Sequence, residues 1–158
     1  MTPMTIRIPA LVSAGFTALY IVAKADFAFA GKLGIHGGPH VTAAETLQYA
    51  NAAQISLAQW ANAGVGALML CAVLLPFLPV TQRWHPVAFA PPLAVLGAAL
   101  AALGVFTVAG SILEDRGGWP FGTFCLLWGL SVLLLAVAIW RSRSPHCGAE
   151  RSREEQGA

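Results

Sequence analysis

Charged side chains are scarce in this sequence. Asp, Glu, Lys and Arg make up 10% of the 158 residues, against about 25% in a typical soluble domain, whereas 57% are hydrophobic. Between Val41 and Leu113 the only side chains expected to be ionised at neutral pH are Glu45 and Arg83. So few charges cannot cover the surface of a water-soluble fold. The sequence therefore predicts an integral membrane protein.

Catalytic and cofactor-binding motifs are missing as well. The chain has no Gly-x-Ser-x-Gly, no Walker loop and no His-Glu-x-x-His. Its three cysteines form no Cys-x-x-Cys pair, so we predict neither a disulfide nor a bound cofactor. A net charge of +2, with no basic stripe, argues against nucleic acid as a partner.

One histidine pair has the spacing of metal ligands. His36 and His40 are four residues apart, but Gly-Gly-Pro lies between them and disfavours a helical pair of ligands. A loop site with Asp26 or Glu45 is the alternative, and our prediction is that no metal binds.

Four apolar stretches are each long enough to cross the roughly 30 Å of a bilayer core as a helix. They cover residues 8–29, 55–78, 87–113 and 119–140. We predict an all-α bundle of four transmembrane helices, forming one domain over residues 1–141. The polar tail, residues 142–158, is predicted to be disordered and cytoplasmic.

The second helix is predicted to begin before its apolar stretch. Thr42 and Glu45 have the spacing of a capping box, which opens a helix. The helix would then leave the membrane as a polar extension through Gln48 and Asn51. In the third span, Pro91 and Pro92 should kink the helix or delimit its first turn.

The distribution of Lys and Arg predicts that both termini are cytoplasmic. The cytoplasmic segments would hold Arg7, Arg83, Arg141, Arg143, Arg151 and Arg153, against Lys24, Lys32 and Arg116 on the other side. One alternative is a signal peptide cleaved after Ala28-Phe29-Ala30, which would leave three spans and an outside N-terminus.

Polar residues follow one face of each of the first two helices. The first stripe is Ser13, Thr17, Tyr20 and Lys24, and the second is Glu45, Gln48, Asn51, Gln59 and Asn62. Because polar groups facing acyl chains are costly, both stripes should face each other or water and form a polar seam near the outer leaflet. The candidate site is Tyr20, Lys24, Asp26, Glu45, Gln48, Asn51, Gln59 and Asn62. The alternative is that they form hydrogen bonds between helices with no ligand.

Lys24 is the most prominent ionisable residue of the candidate site. We predict that it pairs with Glu45 or with the Glu114–Asp115 turn, and the alternative is that its ammonium extends to the interface. Small residues predict close helix packing elsewhere. They are Gly64 and Gly66 in the second helix, and Gly97, Ala101 and the row Ala94, Ala98, Ala102 in the third.

Two short segments resemble known families. Ala28-Phe29-Ala30-Gly31-Lys32-Leu33-Gly34 and Trp119-Pro120-Phe121-Gly122-Thr123-Phe124-Cys125-Leu126 are similar to segments of a bacterial four-helix membrane family of unknown function. Phe29-Ala30-Gly31-Lys32-Leu33 also resembles the end of the first helix of DoxX-like proteins. Either resemblance implies a small four-helix protein of the inner membrane, without an activity or a catalytic residue to carry over.

These features favour a non-enzymatic protein of the bacterial inner membrane. It would bind or support a lipid, a small ligand or a membrane-protein partner, with a homo-oligomer as a further possibility. The alternative is a small transporter or channel that uses the polar seam between the first two helices. A membrane enzyme would need a role for Tyr20, His36, His40 or Cys71 that their spacing does not provide.

Overall fold

The computed structural model describes residues 4–78, 88–115 and 117–142. Within these ranges the helices are α1 (Met4–Phe29), α2 (Ala43–Thr46), α3 (Ala52–Leu74, continued by the 3₁₀ turn Leu75–Phe77), α4 (Ala90–Leu113) and α5 (Trp119–Arg141). Of these, α1, α3, α4 and α5 are long and apolar enough to span a membrane. The prediction of an all-α membrane bundle of four helices is confirmed. The predicted tail lies almost wholly outside the described residues.

The polar extension before the second span is a separate helix of one turn. The predicted capping box is present, because Glu45 N donates to Thr42 Oγ1 at 3.2 Å and Thr42 N donates to Glu45 Oε2 at 2.7 Å. The chain then leaves the helix after Thr46. Asn51 is extended, with φ −162°, and its Oδ1 accepts from Gln54 N to cap α3. Residues with amide side chains favour such caps, and Asn51 therefore starts a new helix instead of continuing the old one.

The remaining helix ends follow the sequence closely. Pro91 and Pro92 lie in the first turn of α4 and delimit it, where the missing N–H groups cost nothing. Gly118, with φ 94°, precedes α5 in a left-handed conformation that suits glycine. The connection between the second and third spans, residues 79–87, lies outside the described residues.

Helices α4 and α5 pack backbone against backbone. A Cβ atom built on Gly129 would lie 2.4 Å from Ala101 N and 2.6 Å from Gly97 O. Gly104, seven residues after Gly97 on α4, makes the same kind of contact. A Cβ atom built on it would lie 2.5 Å from Leu126 N. The predicted close-packing role of Gly97 and Ala101 therefore holds, since α5 fits against them.

The other predicted small-residue positions divide by helix face. Ala98 and Ala102 are exposed on the outside of α4, so their row does not mediate helix packing. Gly66 lies against Tyr20 and Ile21 of α1, whereas a Cβ on Gly64 would meet nothing within 4 Å. The sequence predicted close helix packing at both glycines. Residues that are two apart on a helix point to different sides, however, so only one of the two can face α1.

Helix α1 packs between α3 and α5, and α5 packs between α1 and α4. Trp128, Val132 and Leu135 of α5 are almost fully buried at the centre of this arrangement. By contrast, α3 and α4 are not a closely packed pair within the described residues. The bundle therefore opens between α3 and α4, and large apolar side chains elsewhere on its outside, such as Leu68 and Phe106, face outward as in a lipid-exposed protein.

Candidate functional site: a cleft between α3 and α4

The opening between α3 and α4 encloses a cleft of about 460 Å³. Helices α1 and α5 form its floor, and the segment of residues 33–49 covers the end near the C-terminus of α1. We call it the α3/α4 cleft. Its polar lining comprises Tyr20, Lys24, His40, Glu45, Gln48 and Asn62, and its apolar lining includes Met69, Leu100, Leu103, Cys125 and Trp128.

The polar and apolar residues lie at different depths of the α3/α4 cleft. On α3, Asn62 precedes Met69 by seven residues, which is roughly 10 Å along a helix axis. On α1, Lys24 lies one turn nearer the covering segment than Tyr20. The polar side chains of the cleft therefore lie at the end beneath the covering segment, where Leu33, Ile35 and Val41 also line it, and the lining toward the middle of the bundle is apolar.

Lys24 is held at the polar end by a backbone carbonyl. Its Nζ donates to Gly34 O at 3.0 Å and lies 5.9 Å from the centre of the Tyr20 ring. An ammonium group has three donors, so this arrangement leaves capacity for a further acceptor. The Tyr20 ring in turn lies 5.4 Å from that of Trp128, which continues the wall toward the apolar end.

Side chains of α3 bind the end of α1 and the segment that follows it. Gln59 Nε2 donates to Lys32 O at 2.9 Å and to Gly34 O at 3.1 Å. Ser56 Oγ donates to Ala28 O at 2.6 Å. These contacts fix the last turn of α1 through Ala28, and the segment after it through Lys32 and Gly34, to α3. Gln59 and Lys24 thus meet on one carbonyl, that of Gly34.

Gln59 carries the one buried side-chain oxygen without a hydrogen bond among the described residues, its Oε1. The amide is 2% exposed, and its nitrogen is committed to two carbonyls. An unsatisfied buried acceptor costs about 1–3 kcal/mol. Gln59 does not itself line the α3/α4 cleft, and it is its amide nitrogen that reaches Gly34 of the lining.

A second polar network lies deeper, between α1 and α5. Trp128 Nε1 donates to Thr17 Oγ1 at 3.1 Å, and Thr17 Oγ1 donates to Ser13 O at 2.7 Å. Ser13 Oγ and Ser131 Oγ are 2.9 Å apart. Ser131 Oγ is also 2.7 Å from Trp128 O. These four side chains are buried, and their hydrogen bonds are made within the network. The network therefore joins two helices and leaves no unsatisfied donor or acceptor for a ligand.

The covering segment is fixed to the turn between α4 and α5. Phe121 N donates to Gly37 O at 3.1 Å, and Pro39 pairs with Gly117 as an isolated antiparallel bridge. These contacts bring His40 to the α3/α4 cleft, although the sequence did not predict it there. His36 points elsewhere, with its Nε2 3.0 Å from Asp26 Oδ2 at the exposed surface.

The structure divides the eight predicted site residues into three groups. Five of them line the α3/α4 cleft: Tyr20, Lys24, Glu45, Gln48 and Asn62. Gln59 adjoins it through the Gly34 carbonyl, whereas Asp26 pairs with His36 and Asn51 caps α3. Ser13 and Thr17 of the first stripe pair with α5, and only Tyr20 and Lys24 of that stripe line the same cleft as residues of the second.

The polar stripes did not predict the rest of the α3/α4 cleft lining, of which Tyr49, His40 and Trp128 are examples. Tyr49 and His40 come from the covering segment, whose path depends on glycine-rich turns. Trp128 comes from α5, where its spacing of three residues from Ser131 was the available signal of a polar face. No group of three or more His, Cys, Asp or Glu residues within the described ranges is placed to hold a metal ion.

Comparison of the chain with protein-family models, with curated proteins and with solved structures found no match. The two short resemblances noted in the sequence therefore stay predictions.

Proposed function

We propose that this chain is a multi-pass protein of the bacterial inner membrane that binds an amphipathic small molecule in the α3/α4 cleft. The polar head of the ligand would lie beside Lys24, and its apolar part would extend along Met69, Leu100 and Trp128. The observation that supports this proposal is the ordering of the lining, in which the polar side chains are grouped at one end and the other end is apolar. Its opening between helices gives access from the lipid.

The chemistry of the polar end favours a head group with acceptor atoms. Lys24 has donor capacity left after its bond to Gly34 O, and Tyr20 and Asn62 add neutral polar groups. The Glu45 carboxylate lies in the same wall and is held by Thr42, so a head that also carries a donor fits. Binding sites of this kind combine an apolar lining with a few polar groups that orient the ligand.

The same geometry supports binding over transport. Below the α3/α4 cleft, the bundle is filled by a continuous cluster of buried apolar residues that includes Val73, Leu93 and Leu135. The deeper polar groups are saturated by one another. A transport path would need these described residues to separate, whereas a binding site needs only the cleft as it stands.

Native mass spectrometry of the full-length protein, released gently from its own membrane, tests the proposal. We expect an added mass on the wild-type protein. Leu103→Trp should remove it by filling the cleft, whereas Val105→Trp, exposed on α4 but outside the lining, should retain it. Lys24→Met should lower occupancy about tenfold, in line with a charge-assisted hydrogen bond, and Lys32→Met should not.

Two results would overturn binding in the α3/α4 cleft. One is a wild-type protein that carries no added mass. The other is a set of added masses that is the same in Leu103→Trp and Val105→Trp, so that no bound molecule depends on the cleft. Ion or solute flux in reconstituted vesicles that disappears in Lys24→Met would instead favour the transporter alternative.

A further inference from the structure

Two apolar grooves flank α5 at the end of the bundle opposite the α3/α4 cleft. The first, of about 610 Å³, lies between α1 and α5. The second, of about 340 Å³, lies between α4 and α5. The first is lined by residues that include Ile8, Pro9, Val12 and Leu134, and the second by residues that include Ala90, Ala94, Leu133 and Trp140. Neither groove belongs to the proposed binding cleft.

The two grooves share one boundary and converge at one charge. Val137 and Arg141 line both of them. These residues are four apart on α5, and so they form a ridge on one face of the helix. Both are exposed. The ridge separates two apolar channels that meet at the Arg141 guanidinium, a shape that matches two acyl chains joined to one head group.

The depth of the first groove matches one leaflet of a bilayer. Its lining on α5 runs from Ser131 to Arg141, ten residues or roughly 15 Å of helix. That is half of the roughly 30 Å of the hydrocarbon core. Trp140 lies beside Arg141 and lines the second groove, and tryptophan favours the membrane interface. An acyl chain in each groove would therefore place the head group level with Arg141.

The polar groups at this end suit a phosphate-containing head. A guanidinium stays charged and presents its donors in a planar fork that binds phosphate in a bidentate way. The bias of Lys and Arg predicts that this end faces the cytoplasm, where the membrane surface is negatively charged.

We propose that an anionic diacyl phospholipid straddles α5, with one acyl chain in each groove and its phosphate bound by Arg141. The site is separate from the α3/α4 cleft and would hold a structural lipid in one leaflet. The proposal stands or falls independently of the proposed function.

The test uses full-length protein in nanodiscs that contain equal amounts of phosphatidylglycerol and phosphatidylcholine with matched acyl chains. Native mass spectrometry then identifies the lipid retained on release. We expect the wild-type protein to retain phosphatidylglycerol in preference. Arg141→Gln should lower that preference about fivefold, the effect of one basic residue near an anionic surface, and Lys32→Gln, at the other end of the bundle, should leave it unchanged.

A second pair of variants tests the grooves themselves. Val137→Trp should obstruct both and reduce retention. Leu130 is also on α5 and is 45% exposed, like Val137, but it lies outside both grooves. Leu130→Trp should therefore leave lipid retention unchanged. Single-chain lysophosphatidylglycerol, which fills one groove only, should be retained several-fold less than the diacyl lipid.

Equal retention of the two diacyl lipids by the wild-type protein would overturn the proposal. So would equal losses in Arg141→Gln and Lys32→Gln, or in Val137→Trp and Leu130→Trp. A lipid-free dimer would overturn it too, because a second copy would then cover the grooves.

Discussion

The contact between α4 and α5 predicts that one added methyl group will destabilise the bundle. In Gly129→Ala, the new Cβ would lie 2.4 Å from Ala101 N and 2.6 Å from Gly97 O, where ordinary contact begins at 3.4 Å. Both neighbours are backbone atoms and cannot rotate away. The two helices must therefore separate locally by about 1 Å, the difference between the first distance and ordinary contact.

Two effects of opposite sign set the size of the loss. Overpacking of a close interface costs about 1–3 kcal/mol, and alanine gains roughly 1 kcal/mol over glycine in helix propensity. Gly64→Ala isolates the second effect, because nothing lies within 4 Å of the new Cβ. Its free energy of unfolding should equal or exceed that of the wild-type protein. The difference between the two variants then measures the packing cost alone, about 1–3 kcal/mol.

Reversible unfolding in mixed micelles, followed by circular dichroism as the denaturing detergent increases, gives both free energies of unfolding. Gly129→Ala should unfold at a lower detergent fraction than the wild-type protein and Gly64→Ala at the same fraction or a higher one. Equal midpoints for the two variants would show that α4 and α5 do not meet at Gly129. A tight backbone contact between the two helices would then be excluded.

Three further substitutions test local contacts. Trp128→Phe removes the donor to Thr17 Oγ1 and should lower the free energy of unfolding by about 0.6–1.7 kcal/mol. Trp119→Phe, at an exposed position, should leave it unchanged. Equal losses in the two variants would contradict the buried hydrogen bond. Asn51→Ala removes the cap of α3 and should cost about 1 kcal/mol. Faster hydrogen exchange in the first turn of α3 would show it, and unchanged exchange would contradict the cap. Gln59→Leu removes the donor to the carbonyls of Lys32 and Gly34, so amide exchange at the start of the covering segment should accelerate. Unchanged exchange rates would mean that the segment is held by other contacts.

The membrane bundle could be predicted from the sequence because length and apolarity are sufficient for it. The predicted start of the fourth span, residue 119, is the start of α5. The predicted second span began at residue 55, three residues after Ala52, since the polar first turn of α3 carries no hydropathy signal. Caps were also predictable, because the Thr42–Glu45 pair is a local pattern that needs no tertiary contact.

The candidate site was predictable only in part, because helix adjacency cannot be deduced from one sequence. Ser13 and Thr17 of the α1 stripe meet α5, whereas Tyr20 and Lys24 of the same stripe meet the cleft. The hydrogen-bond partner of Lys24 could not be predicted from the sequence either. The carboxylates of Glu45 and of the Glu114–Asp115 turn were the predicted partners, but the ammonium donates to the backbone of Gly34. A sequence does not show where a carbonyl in a glycine-rich segment will point.

The position of the α3/α4 cleft follows from how the helices are joined. Glycines let α4 and α5 meet at their backbones, and side chains of α3 bind the carbonyls at the end of α1. Trp128 and Thr17 join α1 to α5. Helices in lipid lack a hydrophobic force that would draw them together, so pairs without such contacts stay apart. Among the described residues, α3 and α4 have no equivalent contact in their outer halves, and the bundle opens there with Lys24 at its polar end.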